Sequence, residues 1–179
     1  MPAIGSGISA DKLPSTAYGA STTTETVFLD SGGSNALVCY WLGGDVLNNR
    51  KFTVVAGGRI ATESTTNFTI QMQYGTSGTV GGNTDIEAST ARAVNSTSAP
   101  FHIECELVYD ATAQKIQGRG WAMVNNLVDT VAAIDNEITS VDGSLDAKPN
   151  SMGFVVTGTF SGSDADNQAI VEYFELIPQ

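Results

Sequence analysis

The residues of this 179-residue chain that could do chemistry are few and scattered. His102 is the only histidine, set between Phe101 and Ile103. A general base needs a positioned nucleophile or water beside it. No Gly-x-Ser-x-Gly elbow occurs, and Gly5-Ser6-Gly7 does not replace one. His102 therefore reads as a polar residue on the outward side of a strand. Glu104 and Glu106 fall on one face of that strand, about 7 Å apart by strand rise. Glycoside cleavage needs two carboxylates on opposite sides of a bond. Two acids along one open face read as surface charge instead.

Two acidic loops have oxygen ligands at alternate positions, Asp164-Ala165-Asp166-Asn167 and Asp142-Gly143-Ser144-Leu145-Asp146. Neither has the sixth-position Gly and terminal Glu of a twelve-residue calcium loop. Asp and Asn are also ordinary turn formers. Cys39 and Cys105 are too few, with one histidine, for structural zinc. They are expected as reduced thiols in the core. Gly81-Gly82 lacks the Lys-Ser/Thr of a phosphate loop. No catalytic residue, cofactor or metal ligand is assigned, and the expectation is a protein that is not an enzyme.

The elements that would hold these residues are strands. Phe68, Ile70, Met72 and Tyr74 alternate with Thr69, Gln71 and Gln73, the period-two pattern of one buried and one wet face. Lys51 to Ser77 reads as a first hairpin closed by Thr62 to Asn67. Phe101 to Asp110 alternates as cleanly, and Lys115 to Asn126 is expected to pair back with it. Gly118 and Gly120 within that return strand suggest a bulge or a close backbone approach. Leu127 to Ile138 has apolar residues at helical spacing but β-branched content, so helix and strand both stay open. Short strands are expected at Glu25 to Leu29 and Glu87 to Val94, and longer ones at Met152 to Phe160 and Gln168 to Ile177. Ala36 to Leu42 is continuously apolar, as a buried strand or a short helical turn.

Eight or nine strands with two apolar faces to cover predict an all-β fold, a β-sandwich of jelly-roll form. Residues 23–179 read as its single domain. Residues 1–22 are rich in Ser, Thr, Ala and Gly and read as an extended N-terminal arm. The arm's Ile4, Ile8, Leu13 and Tyr18 are candidates for contact with a neighbouring subunit or shell.

Composition narrows the partners. The formal charge is −11, and from Asp129 onward nine acids face a single base, Lys148. This argues against binding nucleic acid through phosphates and against anionic membranes. Hydrophobic residues, at 41%, suffice for a core. No run reaches the ~18 apolar residues of a spanning helix, and no basic start with an apolar stretch marks a secretory signal. The expectation is a soluble protein made in a cytoplasm.

Three stretches, KFTVVAGGRIATESTTNFTIQMQYGTS, APFHIECELVYDATAQKIQGRGWAMVN and NQAIVEYFELI, resemble β-rich virion proteins of tailed bacteriophages. The resemblance spans roughly residues 50–179 and rests on strand pattern and order. It is to the jelly-roll-like head decoration, or cement, proteins. It implies a homo-oligomer, often a trimer, on the capsid exterior, with the major capsid protein as partner and assembly in the host cytoplasm. It implies no catalytic residue. A carbohydrate-binding module and a tail or spike structural module are the alternatives. Trp41, Trp121 and several tyrosines would supply the aromatic platform for a sugar. Trp41 lies in an apolar run and Trp121 in a strand, so both are expected in the core.

Overall fold

The computed structural model describes residues 18–19, 23–28, 38–41, 51–62, 65–75, 83–110, 113, 115–137 and 152–179. Three short strands, β1 (Tyr18–Gly19), β2 (Thr26–Val27) and β3 (Val38–Trp41), precede β4 (Lys51–Ala61) and β5 (Thr66–Gly75). β6 (Asn83–Ala88) and β7 (Arg92–Val94) lead to β8 (Ala99–Asp110) and β9 (Lys115–Val124). β10 (Leu127–Val128), β11 (Ala132–Glu137), β12 (Met152–Phe160) and β13 (Gln168–Pro178) complete the described elements, none of them helical.

These strands form the expected β-sandwich of two antiparallel sheets. The larger, seven-stranded sheet runs β1-β13-β4-β8-β9-β10, with β11 also on β9. The smaller, six-stranded sheet runs β2-β12-β5-β6, with β3 on β12 and β7 on β5. Alternation drives the packing. Phe101, Ile103, Cys105, Leu107 and Tyr109 of β8 are buried between the sheets, as are Phe68, Ile70, Met72 and Tyr74 of β5. Phe68 ties them together, its ring 4.8 Å from Phe160 and 6.0 Å from Phe101. Such aromatic pairs add about 0.5–1.5 kcal/mol beyond area burial.

The expected Lys51 to Ser77 hairpin does not form. β4 and β5 lie in opposite sheets, because each has partners on both edges elsewhere. β4 is paired by β13 and β8, and β5 by β12 and by β6 with β7. Thr62 shows how the chain turns away. Its N–H donates to the Ser96 carbonyl (2.8 Å) and its hydroxyl to the Val94 carbonyl (3.0 Å). The acidic loop after β12 makes the return crossing. Ser161 exchanges hydrogen bonds with Asn67, its N–H to the Asn67 carbonyl (2.8 Å) and the Asn67 N–H to its hydroxyl (2.9 Å). The chain is thus folded double, β4 against β13 in one layer and β5 against β12 in the other. β8, β9 and β10 run as a meander in the larger sheet.

The expected β8–β9 hairpin forms, its register running from Phe101 opposite Val124 to Asp110 opposite Lys115. Gly118 and Gly120 mark close approaches rather than a bulge. A Cβ at Gly118 would overlap the Glu106 carbonyl, and one at Gly120 the Glu87 carboxylate. The ambiguous Leu127 to Ile138 segment holds two strands among its described residues, β10 and β11, with the non-strand residues 129–131 between them and no helix. Asn125 and Asn126 have φ of 51° and 61°, a two-residue turn that sends the chain back along β9 as β10 and then β11. The segment from Glu87 to Val94 is two strands, β6 ending at Ala88 and β7 beginning at Arg92.

The outer faces differ. On the smaller sheet, Val155, Thr157 and Gln73 are buried although they point away from the inter-sheet core. The Glu25 carboxylate accepts from the Gln73 amide (3.1 Å) and the Thr157 hydroxyl, and Gln73 also donates to Asp85 (2.7 Å). Gln73, expected on a wet face, is thus held inside the molecule. The larger sheet keeps an accessible outer face.

Candidate functional site

That accessible face is built by four adjacent strands. β13 contributes Tyr173, β4 Gly57, β8 His102 and Glu104, and β9 Trp121. Register aligns Tyr173 with Gly57, Gly57 with His102, and Glu104 with Trp121. A β-bulge in β13 makes the alignment. Pairing with β4 jumps from Val171 to Tyr173, leaving Glu172 as the extra residue. Glu172 turns to solvent and pairs with Arg59. A bulge re-aims the side chains after it, and here Tyr173 swings across the sheet. It passes over Gly57, where any Cβ would overlap the phenol.

The phenol ends 2.7 Å from His102 Nδ1, and His102 Nε2 lies 3.3 Å from Glu104. A carboxylate only accepts hydrogen bonds. In the neutral imidazole, Nε2 therefore carries the proton toward Glu104, and Nδ1 accepts from the Tyr173 hydroxyl. Burial first, then the carboxylates of Glu104, Glu172 and Glu175, push the Tyr173 pKa up. The phenol stays protonated at neutral pH, a donor and not a nucleophile. Trp121 packs beside His102, with ring centroids 4.5 Å apart and planes 31° apart. The His102 and Glu104 side chains remain 17% and 28% exposed. His102 is thus outward, as expected, and held on both sides. Trp121, expected in the core, is on the outer face instead, because Ala122 and Val124 occupy the inward positions of β9.

Beside this cluster lies a groove of about 530 Å³, lined by Lys51, Glu106, Val108, Arg119 and Gln179 among others. Glu106 and Arg119 form an ion pair across β8 and β9, so Glu104 and Glu106 have different partners. The Arg119 hydrogen bond holds the Glu106 carboxyl below its ordinary range. The arrangement can stack against a flat ligand and donate and accept hydrogen bonds.

A second polar cluster sits where β6 meets β9. Glu87 is 9% exposed, and its Oε2 has no hydrogen-bond partner among the described residues. Burial, most of all, raises its pKa. Nearby Asp129 pairs with Arg92 and accepts from the Thr90 N–H (2.7 Å). Burial alone would raise Asp129, but these bonds outweigh it and hold its pKa low. Cys105 is a free thiol, and burial pushes its pKa well up, with Glu87 and Glu104 adding to the effect. It is a core residue, unreactive at neutral pH.

Most of the remaining sequence candidates fall wholly or in their side chains outside the described residues. Ile4, Ile8 and Leu13 lie outside the described residues. Tyr18 is described by its backbone alone, paired with Ala169 at the edge of the larger sheet. Trp41 belongs to β3, its side chain outside the described residues, as are Asp142 and Asp146. Asp164 and Asp166 form a turn, the Asp166 N–H donating to Asp164 Oδ1 (3.1 Å). No group of three His, Cys, Asp or Glu among the described residues could hold a metal ion. Sequence reasoning missed Tyr173, although a signal was there. In QAIVEYFELI the inward residues Ala169 and Val171 are followed by Phe174 and Leu176, a one-residue shift in frame at Glu172. Neither the protein-family models nor the curated proteins compared with this chain give a match.

Proposed function

We propose that this protein is a virion structural module of the capsid-decoration type. It binds the outer shell, with the major capsid protein and its own copies as partners, and stabilises the capsid. The observation that carries the reading is an apolar flank. Leu127, Val128 and Val131 are 50%, 58% and 56% exposed, beside β11 at the margin of the larger sheet. They are three of the four exposed large hydrophobic residues among those described. In a chain of net charge −11, so concentrated an apolar strip suits a protein contact better than solvent. The resemblance to phage decoration proteins supports the same reading, with its jelly-roll form and trimeric state. Decoration works by multiplicity, since many modest contacts repeated over a lattice sum to a strong one.

The test is location, copy number and mass. The protein should co-purify with intact particles at a copy number near that of the capsid protein. Leu127→Asp combined with Val131→Asp should abolish shell binding or reduce the sedimentation mass, with Tm little changed because both side chains are exposed. A monomer that never co-purifies with particles overturns the proposal. A handful of copies per particle points to a tail or spike module instead.

A further inference from the structure

We propose that the outer face of the larger sheet is a binding platform for a neutral oligosaccharide. Tyr173, His102 and Trp121 form a row of rings on a face of four strands, the His102 centroid 6.1 Å from that of Tyr173 and 4.5 Å from that of Trp121. The row is built for its position. The β13 bulge aims Tyr173, Gly57 leaves it room, and the Tyr173–His102–Glu104 hydrogen bonds hold the imidazole against the indole.

His102 is the ring partner of Trp121 among the described residues. Register puts His102 opposite Met123, on one side of the indole, while the groove lies on the other side, next to Arg119. Trp121 and Glu104 follow the groove residues Arg119 and Glu106 two positions on along the same face, so a chain-like ligand that extends out of the groove along β9 reaches an indole supported from behind. The groove, about 530 Å³, is of a size common for small-molecule sites.

The chemistry of the lining selects the ligand. Sugar rings offer C–H faces to aromatic rings and hydroxyl donors to carboxylates. Glu106 and Gln179 line the groove and supply polar contacts, and Glu104, beside Trp121, supplies a further acceptor. Charge excludes the acidic sugars. Arg119 and Arg59 are already committed to Glu106 and Glu172. Glu104 and Glu175 leave the face with surplus negative charge against Lys51. Uronic acids, sialic acids and phosphorylated glycans would meet repulsion, and neutral hexose chains would not.

The full-length protein is titrated calorimetrically with neutral oligosaccharides (cellohexaose, chitohexaose and mannohexaose) and with oligogalacturonate as the acidic control. Saturable binding of at least one neutral chain is expected, with none to oligogalacturonate. Trp121→Ala should weaken it at least tenfold, and Glu104→Gln several-fold. Glu104→Gln keeps the packing, so it tests the site if Trp121→Ala fails to fold. Absence of binding across the neutral panel overturns the proposal, as does binding that both variants leave unchanged. If Trp121→Ala instead lowers the sedimentation mass and no sugar binds, the face is a contact between copies and the proposal fails.

Discussion

Glu87 shows how much one side chain can set. Its Oε1 accepts from the Ala88 N–H (3.1 Å), while Oε2 is pressed against the backbone of Gly120 without a partner among the described residues. A buried polar atom left unpaired costs about 1–3 kcal/mol, more when charged. The raised pKa expresses that cost. A carboxyl raised in the folded state contributes stability that is fully present below its ordinary value of 4.5. That contribution is lost as pH rises through the raised value. Glu87→Gln removes the charge but keeps the shape. It should stabilise the protein by about 1 kcal/mol at pH 7 and by much less at pH 4, read as the difference in Tm at the two pH values. Equal shifts at both would mean that ionisation of Glu87 is not what limits stability here. Gly120 is the other half of the arrangement. The sequence pointed to a close approach there, but which group approaches came from β6 on the opposite sheet.

At the scale of elements, local pattern and pairing carried different amounts of information. The β8–β9 hairpin was legible because its alternation and its short turn are both local. The return from β9 was not, since helical spacing and β-branched content conflicted from Leu127 to Ile138. Asn125 and Asn126 resolve the conflict. Both sit at positive φ, which costs an ordinary L residue about 1–2 kcal/mol and Asn less. Asn125 adds a side-chain bond to the Ala93 carbonyl (3.1 Å). Asn126→Ala should cost about 1 kcal/mol, and Asn126→Gly nearly nothing, as read from urea midpoints. Equal losses for Ala and Gly would show that the turn does not depend on backbone conformation. The bulge in β13 is a second local signal, visible as a slip in alternation. Its consequence, Tyr173 lying over Gly57, depends on a strand more than a hundred residues earlier.

The whole molecule is held by pairings of that distant kind. β13 runs beside β4 from Gln168 opposite Ala61 to Pro178 opposite Phe52, and it buries Ala169, Val171 and Phe174. Removing it would strip the larger sheet between β1 and β4. A chain truncated after Asn167 should therefore show no cooperative unfolding transition by circular dichroism. A cooperative transition would show that the larger sheet closes without its last long strand. The sequence by itself determined the all-β class, the long strands with their inward faces, and the polar, outward setting of His102. Period-two alternation and turn residues are local properties, and they survive without knowledge of partners. Only the tertiary structure decided that β4 and β5 part into different sheets, that Trp121 faces outward beside His102, and that Tyr173 completes the row. Strand edges carry no partner-specific code in their backbones. Which edges join is settled by how all the apolar faces can be buried at once.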